Sequence, residues 1–149
     1  MGNVVMLKQK VNLATLCLRM FEEIEKHYAG SGYLLKPMPM KEAFEIEITI
    51  EEDVYRALYG AVCGLIDEFC KGNDEIVVST YQMGIVITGL EIEGKDLYDL
   101  CLVENDKYLI QRSRLGIVLA FLQQEQVKIE QNQVYGGRDG ICFVLPKGD

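Results

Sequence analysis

Three stretches of the chain repeat apolar residues at the spacing of a helix face. The first follows Asn12, whose side chain can accept a hydrogen bond from a free backbone N–H in the first turn. The second runs from about Glu51 to Phe69, and the third runs from about Ser113 to Gln124. Acidic residues open the second stretch, where negative charge suits the positive end of the helix dipole. The pattern predicts three long amphipathic helices.

Other stretches have the pattern of β-strands. Residues Phe44–Ile50 alternate strictly between apolar and polar, which predicts a strand with one buried and one solvated face. Residues 76–81 and 84–92 are separated by a tight turn and predict a hairpin. Residues 127–131 and 141–145 flank a glycine-rich loop and predict a second hairpin.

The order of these elements predicts the fold class. It is a two-layer α+β sandwich, in which a mixed five-stranded sheet carries three long helices on one face. The chain of 149 residues is expected to form a single domain, 1–149. Residues 33–41 hold two of the three prolines and predict a connector, and residues 93–112 are apolar enough to predict a compact segment. The buried positions are expected to include Leu16, Met20, Phe21, Ile46, Ile48, Leu58, Leu65, Ile85, Leu119 and Ile129.

The composition argues against nucleic acids, membranes and metal ions as partners of this chain. Lys and Arg total 15 against 23 Asp and Glu, so the net charge is −8 and the chain repels phosphate backbones. Nucleic-acid binding is therefore not expected. No apolar run reaches the roughly 18 residues of a membrane span, so we expect no membrane contact and a cytoplasmic location. The five cysteines form no Cys-x-x-Cys pair, so we expect buried free thiols and no metal site.

Several segments in this order resemble the ATP-binding domain of the GHKL superfamily, in its histidine-kinase branch. The strand Phe44–Ile50 followed by Asp53–Leu58 looks like that domain's first strand and nucleotide-site helix. Leu115–Ala120 is similar to the start of its last helix, and Gly137–Pro146 is similar to its terminal strand. The resemblance implies the GHKL-like (Bergerat) sandwich, a site for ATP and Mg²⁺, and a place in two-component signalling.

The resemblance also implies where nucleotide ligands should stand. The family carries Asn-x-x-x-Asn on the site helix, and the best register places Gly64 and Glu68 there, with a register one turn away left open. After the hairpin the family carries Asp-x-Gly-x-Gly, where this chain has Glu91 for the adenine-binding Asp and Glu93 in place of a glycine. If nucleotide is bound at all, the implied cofactor-binding residues are Glu68, Glu91, Gly94 and Gly116.

The segments typical of the family's fold are present, whereas most of the residues with which the family binds nucleotide are replaced. The functional expectation follows from this contrast. We expect a non-catalytic pseudo-kinase that binds a protein partner of a signalling pathway, with no catalytic residues and no cofactor. Two alternatives stay open: a working ATP- and Mg²⁺-binding domain, part of an ATP-dependent sensor histidine kinase, and a degenerate domain of a histidine phosphotransfer protein. His27, at the end of the first helix, is expected to be a capping or half-buried residue rather than a phosphoacceptor.

Overall fold

The structure is a computed structural model that describes residues 8–70, 75–91, 114–135 and 138–146. Its elements, in chain order, are β1 (Lys8–Asn12), α1 (Leu13–His27), β2 (Leu35–Met38), a 3-10 helix (Lys41–Glu45), β3 (Glu47–Glu51), α2 (Glu52–Phe69), β4 (Ile76–Tyr81), β5 (Gly84–Thr88), α3 (Arg114–Gln124), β6 (Lys128–Tyr135) and β7 (Arg138–Val144).

The described strands form two sheets. The larger has five strands in the order β2-β4-β5-β7-β6, and the smaller pairs β1 with β3. In the larger sheet β2 runs parallel to β4, while the other neighbours are antiparallel. The predicted α+β architecture, with three helices and a mixed five-stranded sheet, is confirmed.

The membership of that sheet differs from the prediction. The alternating segment forms β3, which begins at Glu47 and pairs with β1 outside the five-stranded sheet. Phe44 lies in the 3-10 helix and is 52% exposed, so it is not part of the predicted strand. Ile46, which was predicted to be buried, is half-buried against the core. Alternation reports the face that a strand presents, but it does not say which strand lies next to it.

The predicted connector contains the fifth strand of the sheet. β2 occupies the edge beside β4 and includes Pro37, which has no N–H to donate and is tolerated at a sheet edge. Exposed and partly buried residues alternate along β2 and its flanks. Leu34, Met38 and Met40 are about half exposed, at 55%, 47% and 50%. The two prolines led to the prediction of a connector. Residues 35–38 nevertheless form a strand, because they pair with β4.

Two further boundaries differ from the sequence pattern. β5 ends at Thr88, because Gly89 has a φ of +96° and leaves the extended conformation. The last hairpin is longer than predicted, since β6 continues to Tyr135 and β7 starts at Arg138. Backbone pairing continues there beyond the apolar residues from which the strands were recognised.

The core lies between the helices and one face of the five-stranded sheet. Nine of the ten residues predicted to be buried are buried, Ile46 being the exception. Asn12 caps α1 as predicted, because its side-chain oxygen accepts a hydrogen bond from the Thr15 N–H at 2.7 Å. Residues 93–112, expected to form a compact segment, lie outside the described residues.

The cysteines of the described part of the chain are free thiols, as expected. Cys17, Cys63 and Cys142 are buried and Cys70 is partly buried, while Cys101 lies outside the described residues. Burial raises the pKa of Cys17 to about 12, so this thiol stays protonated and unreactive at neutral pH.

Candidate functional site

Two glycines one turn apart on α2 mark the helix that the resemblance assigns to nucleotide. A Cβ on Gly60 would have no atom within 4 Å, so this position faces open space. A Cβ on Gly64 would lie 3.0 Å from Cδ1 of Leu115, the second residue of α3. Leu115 is only 7% exposed. The absence of a side chain at Gly64 therefore lets α3 approach α2 closely.

This contact bears on the question of register along α2. In one register Gly64 and Glu68 hold the two positions where the family carries Asn, and in the register one turn earlier Gly60 and Gly64 hold them. Both registers include Gly64, which offers no side-chain oxygen. Each of these two registers therefore has glycine in at least one of the two positions where the family carries Asn, while the register of Gly64 and Glu68 keeps a carboxylate at the second position.

The other predicted residues are gathered around the second half of α2. Glu68 is exposed near the end of the helix. Glu91 is exposed too, and its N–H donates to the carbonyl oxygen of Phe69 at 2.9 Å, which places it at the same helix end. Gly116 is buried in the first turn of α3, and Gly94 lies outside the described residues. The region thus presents two exposed carboxylates beside the closed α2–α3 contact.

Asp67, the remaining carboxylate at this end of α2, is engaged with α1. The Tyr28 hydroxyl lies 2.7 Å from an Asp67 carboxylate oxygen and 2.8 Å from the Cys63 carbonyl oxygen, and it shares its one proton between these acceptors. Burial, followed by the hydrogen bond to Asp67, raises the pKa of Tyr28, so the hydroxyl remains a donor. In the described ranges no three His, Cys, Asp or Glu residues converge as metal ligands.

A pair of substitutions on α2 tests the close approach of the two helices. Gly60→Ala is expected to stabilise the protein by about 0.5–1 kcal/mol, because alanine lowers the backbone entropy lost in a helix and meets nothing at this position. Gly64→Ala gains the same propensity but must displace Leu115, so we expect it to be less favourable than Gly60→Ala. Urea unfolding of both variants measures the difference, and equal stabilisation would contradict the packing described.

His27 takes no part in this region. It is the last residue of α1 and its side chain is exposed, so of the two expected roles, capping or half-buried, the half-buried one is wrong. Its ring meets the edge of Tyr28 at a centroid distance of 4.7 Å. A residue at the end of a helix whose face turns away from the core remains in solvent, although its spacing continues the apolar stripe.

A concave surface that the sequence patterns did not predict lies between α1 and α2. We call it the α1–α2 groove, and it has a volume of about 780 Å³. It is lined by Arg19, Glu23, Lys26 and His27 of α1, by Ile50 of β3, and by Glu52, Tyr55, Arg56 and Tyr59 of α2. On α1, Arg19, Glu23 and Lys26 are spaced by four and three positions, and on α2 Tyr59 follows Tyr55 by four positions and Arg56 by three, so each set shares one side of its helix. That spacing is the sequence signal that was overlooked, because it was carried by polar rather than apolar residues.

Hydrogen bonds and ring contacts connect the two walls of the α1–α2 groove. The Tyr55 hydroxyl donates to a Glu23 carboxylate oxygen at 2.6 Å, and the Arg19 guanidinium carbon lies 5.7 Å from the centre of the Tyr55 ring. The Tyr59 hydroxyl donates to the Glu23 backbone oxygen at 3.5 Å. Burial raises the pKa of Tyr55, and it raises that of Tyr59 to about 12, so both hydroxyls remain protonated donors at neutral pH.

Solved structures with the same fold are histidine kinase domains. The cytoplasmic segment of histidine kinase QseC aligns over 97% of this chain and 82% of its own, with a TM-score of 0.60 and 11% identity. The catalytic domain of histidine kinase ThkA aligns over 95% and 99%, with a TM-score of 0.58 and 12% identity. The histidine kinase domain of the E. coli osmosensor EnvZ aligns over 100% and 94%, with a TM-score of 0.56 and 17% identity.

These likenesses show that the chain has the fold of histidine kinase catalytic domains. No family model and no curated protein matches the sequence. Among the helices of the described ranges, none is sufficiently long and apolar to cross a membrane.

Proposed function

We propose that this chain is a non-catalytic, kinase-like signalling domain of the cytoplasm that acts by binding a protein partner. The observation that carries the proposal is the contact of Gly64 with Leu115, which brings α3 against the helix that would supply ligands to nucleotide and metal. A pseudo-kinase keeps the packed scaffold after the residues that hold ATP have been lost.

The chemistry of the region around the end of α2 supports the same reading. Phosphate recognition needs cations, a bound metal or backbone N–H groups at a helix start. Glu68 and Glu91 present carboxylates at this place, and both are exposed. A triphosphate that approached them would meet two like charges, and Gly64 brings no metal ligand to offset the repulsion.

The direct test is calorimetric titration of the full chain with Mg²⁺-ATP. Each missing charge-assisted contact weakens binding by roughly 1.5–3 kcal/mol, so two losses turn a micromolar site into a millimolar one. We therefore expect no measurable heat of binding below millimolar ATP. Thermal unfolding gives an independent readout, since ligand at 100 times its Kd stabilises by about 2.7 kcal/mol.

A micromolar Kd would favour the first alternative, a working ATP-binding domain of a histidine kinase. In that case Glu91→Ala is the decisive variant, because Glu91 would replace the family's adenine-binding Asp. The matched control is Glu130→Ala, which removes an exposed carboxylate from β6 at the far edge of the sheet. Loss of affinity in Glu91→Ala with no loss in Glu130→Ala would overturn the pseudo-kinase proposal.

A further inference from the structure

We propose that the α1–α2 groove binds an acidic peptide segment of the partner protein. The inference rests on the proposed function, because it identifies the surface through which a protein-binding domain would act. It concerns a surface distinct from the Gly64–Leu115 contact, so the two proposals are tested by separate measurements.

The charge of the α1–α2 groove is opposite in sign to that of the whole chain. Three cationic side chains line it, Arg19, Lys26 and Arg56, against two carboxylates, Glu23 and Glu52. In the full sequence the balance is 15 cationic to 23 acidic residues. An acidic segment is repelled by most of this protein, whereas the residues that line the groove carry one more cation than carboxylate, so its approach is less opposed at this surface.

The two carboxylates of the α1–α2 groove already have donors. Glu23 accepts the hydroxyl of Tyr55 at 2.6 Å, and Glu52 accepts the guanidinium of Arg56 at 2.9 Å. Each therefore has a partner inside the protein, which weakens the case for a basic ligand. A cationic peptide would have to compete with these donors for the same oxygens.

Two of the cations are available to exchange their partners for carboxylates of a ligand. Lys26 is 3.5 Å from Glu22 across one helical turn, and the two side chains are 75% and 68% exposed. Arg56 is 74% exposed, and its bond to Glu52 leaves guanidinium N–H groups facing solvent. Exposed pairs of this kind contribute little to stability, so replacing them with a ligand's carboxylates costs the protein little.

The aromatic residues of the α1–α2 groove suit a peptide rather than a lone anion. Tyr55 and Tyr59 lie one turn apart on α2 and contribute their rings to the groove, while their hydroxyls are bonded to Glu23. Tyrosine and arginine are enriched at protein interfaces because they combine large contact area with polar groups. The groove also spans two helices, so a peptide could pair with Lys26 on one wall and Arg56 on the other.

The experiment is an NMR titration of the ¹⁵N-labelled full chain with three probes of twelve residues or nucleotides each. They are an acetylated twelve-residue peptide that repeats Asp-Glu-Glu-Leu, its counterpart with lysine at every acidic position, and a twelve-nucleotide single-stranded RNA. We expect the acidic peptide to shift amide resonances of α1 and α2 around the groove, with an affinity that falls as salt rises. The lysine peptide and the RNA are expected to leave these resonances in place.

Matched double variants separate the groove from overall charge. Lys26→Glu with Arg56→Glu reverses one cation on each wall, and we expect it to weaken binding of the acidic peptide about tenfold or more. Lys36→Glu with Lys128→Glu makes the same change in net charge on two exposed residues of the five-stranded sheet, and should alter the affinity less than about twofold. Circular dichroism checks that both variants are folded.

The outcomes are decisive in each case. Equal weakening by the two double variants, shifts that lie outside α1 and α2, no binding of the acidic peptide, or preference for the lysine peptide or the RNA would overturn the groove proposal. None of these results alters the titration with Mg²⁺-ATP. Conversely, a chain that binds ATP and also binds the acidic peptide at the groove would refute the pseudo-kinase proposal and leave the docking surface intact.

Discussion

Phe143→Ala is expected to lower the free energy of unfolding by about 3–5 kcal/mol, the usual cost of emptying a buried aromatic site. Phe143 is fully buried in β7, with Ile85 of β5 opposite it on one side and Ile129 of β6 on the other. These three side chains form a row across the face of the sheet that the helices cover. The row cannot close the cavity without moving three paired strands, so little of the loss is recovered.

The neighbouring residue supplies the control for this variant. Val144 points to the opposite face of β7 and is only partly buried, so Val144→Ala is expected to cost about 1 kcal/mol. Urea unfolding monitored by circular dichroism measures both variants. Domains of this size are stable by only about 5–15 kcal/mol, so Phe143→Ala should shift the midpoint strongly. Similar costs for the two variants would contradict the assignment of the strand's faces.

Gly89→Ala is expected to destabilise the protein by about 2–4 kcal/mol through backbone strain and a steric clash. Gly89 has a φ of +96°, a conformation that residues with a Cβ rarely adopt. A Cβ there would lie 2.2 Å from the Glu75 carbonyl oxygen, an atom of the backbone at the start of β4. The clash can be relieved only by separating the ends of β4 and β5.

Gly30→Ala separates the strain from the clash. Gly30 has a similar φ of +82°, yet a Cβ on it would have no atom within 4 Å. We expect this control to cost only about 1–2 kcal/mol, the penalty of the left-handed conformation alone. Thermal and urea unfolding of the two variants give the difference. If Gly30→Ala lowered the stability as much as Gly89→Ala, the close approach to Glu75 would contribute nothing to the cost of Gly89→Ala.

Gly89 also affects the candidate nucleotide region, because it redirects the chain after β5. Two residues later the Glu91 N–H bonds to the Phe69 carbonyl oxygen, which ties this segment to the end of α2. The resemblance had assigned Glu91 a position near the nucleotide, and the structure places it beside the helix that carries Gly64. Whether this position belongs to a nucleotide site stays a prediction, which the titration with Mg²⁺-ATP tests.

The α1–α2 groove is the feature that sequence patterns predicted least. Its residues recur at helical spacing, but polar residues at that spacing ordinarily indicate a solvated face. Only the arrangement of α1 beside α2 brings the hydroxyl of Tyr55 to Glu23 and the guanidinium of Arg19 to the Tyr55 ring. These residues are 32 and 36 positions apart in sequence, and no local pattern reports a contact over that distance.

Local sequence patterns were sufficient to locate the three helices, the cap of α1 and the buried faces of these helices. These properties depend on neighbours within one turn, such as Asn12 and Thr15, and on the 3.6-residue period of apolar side chains. The tertiary structure alone decided that β3 leaves the main sheet, that the proline-containing β2 joins it, and that Leu115 packs against Gly64. Those outcomes are settled by hydrogen bonds and close contacts between distant segments, whose energies appear only when the elements meet.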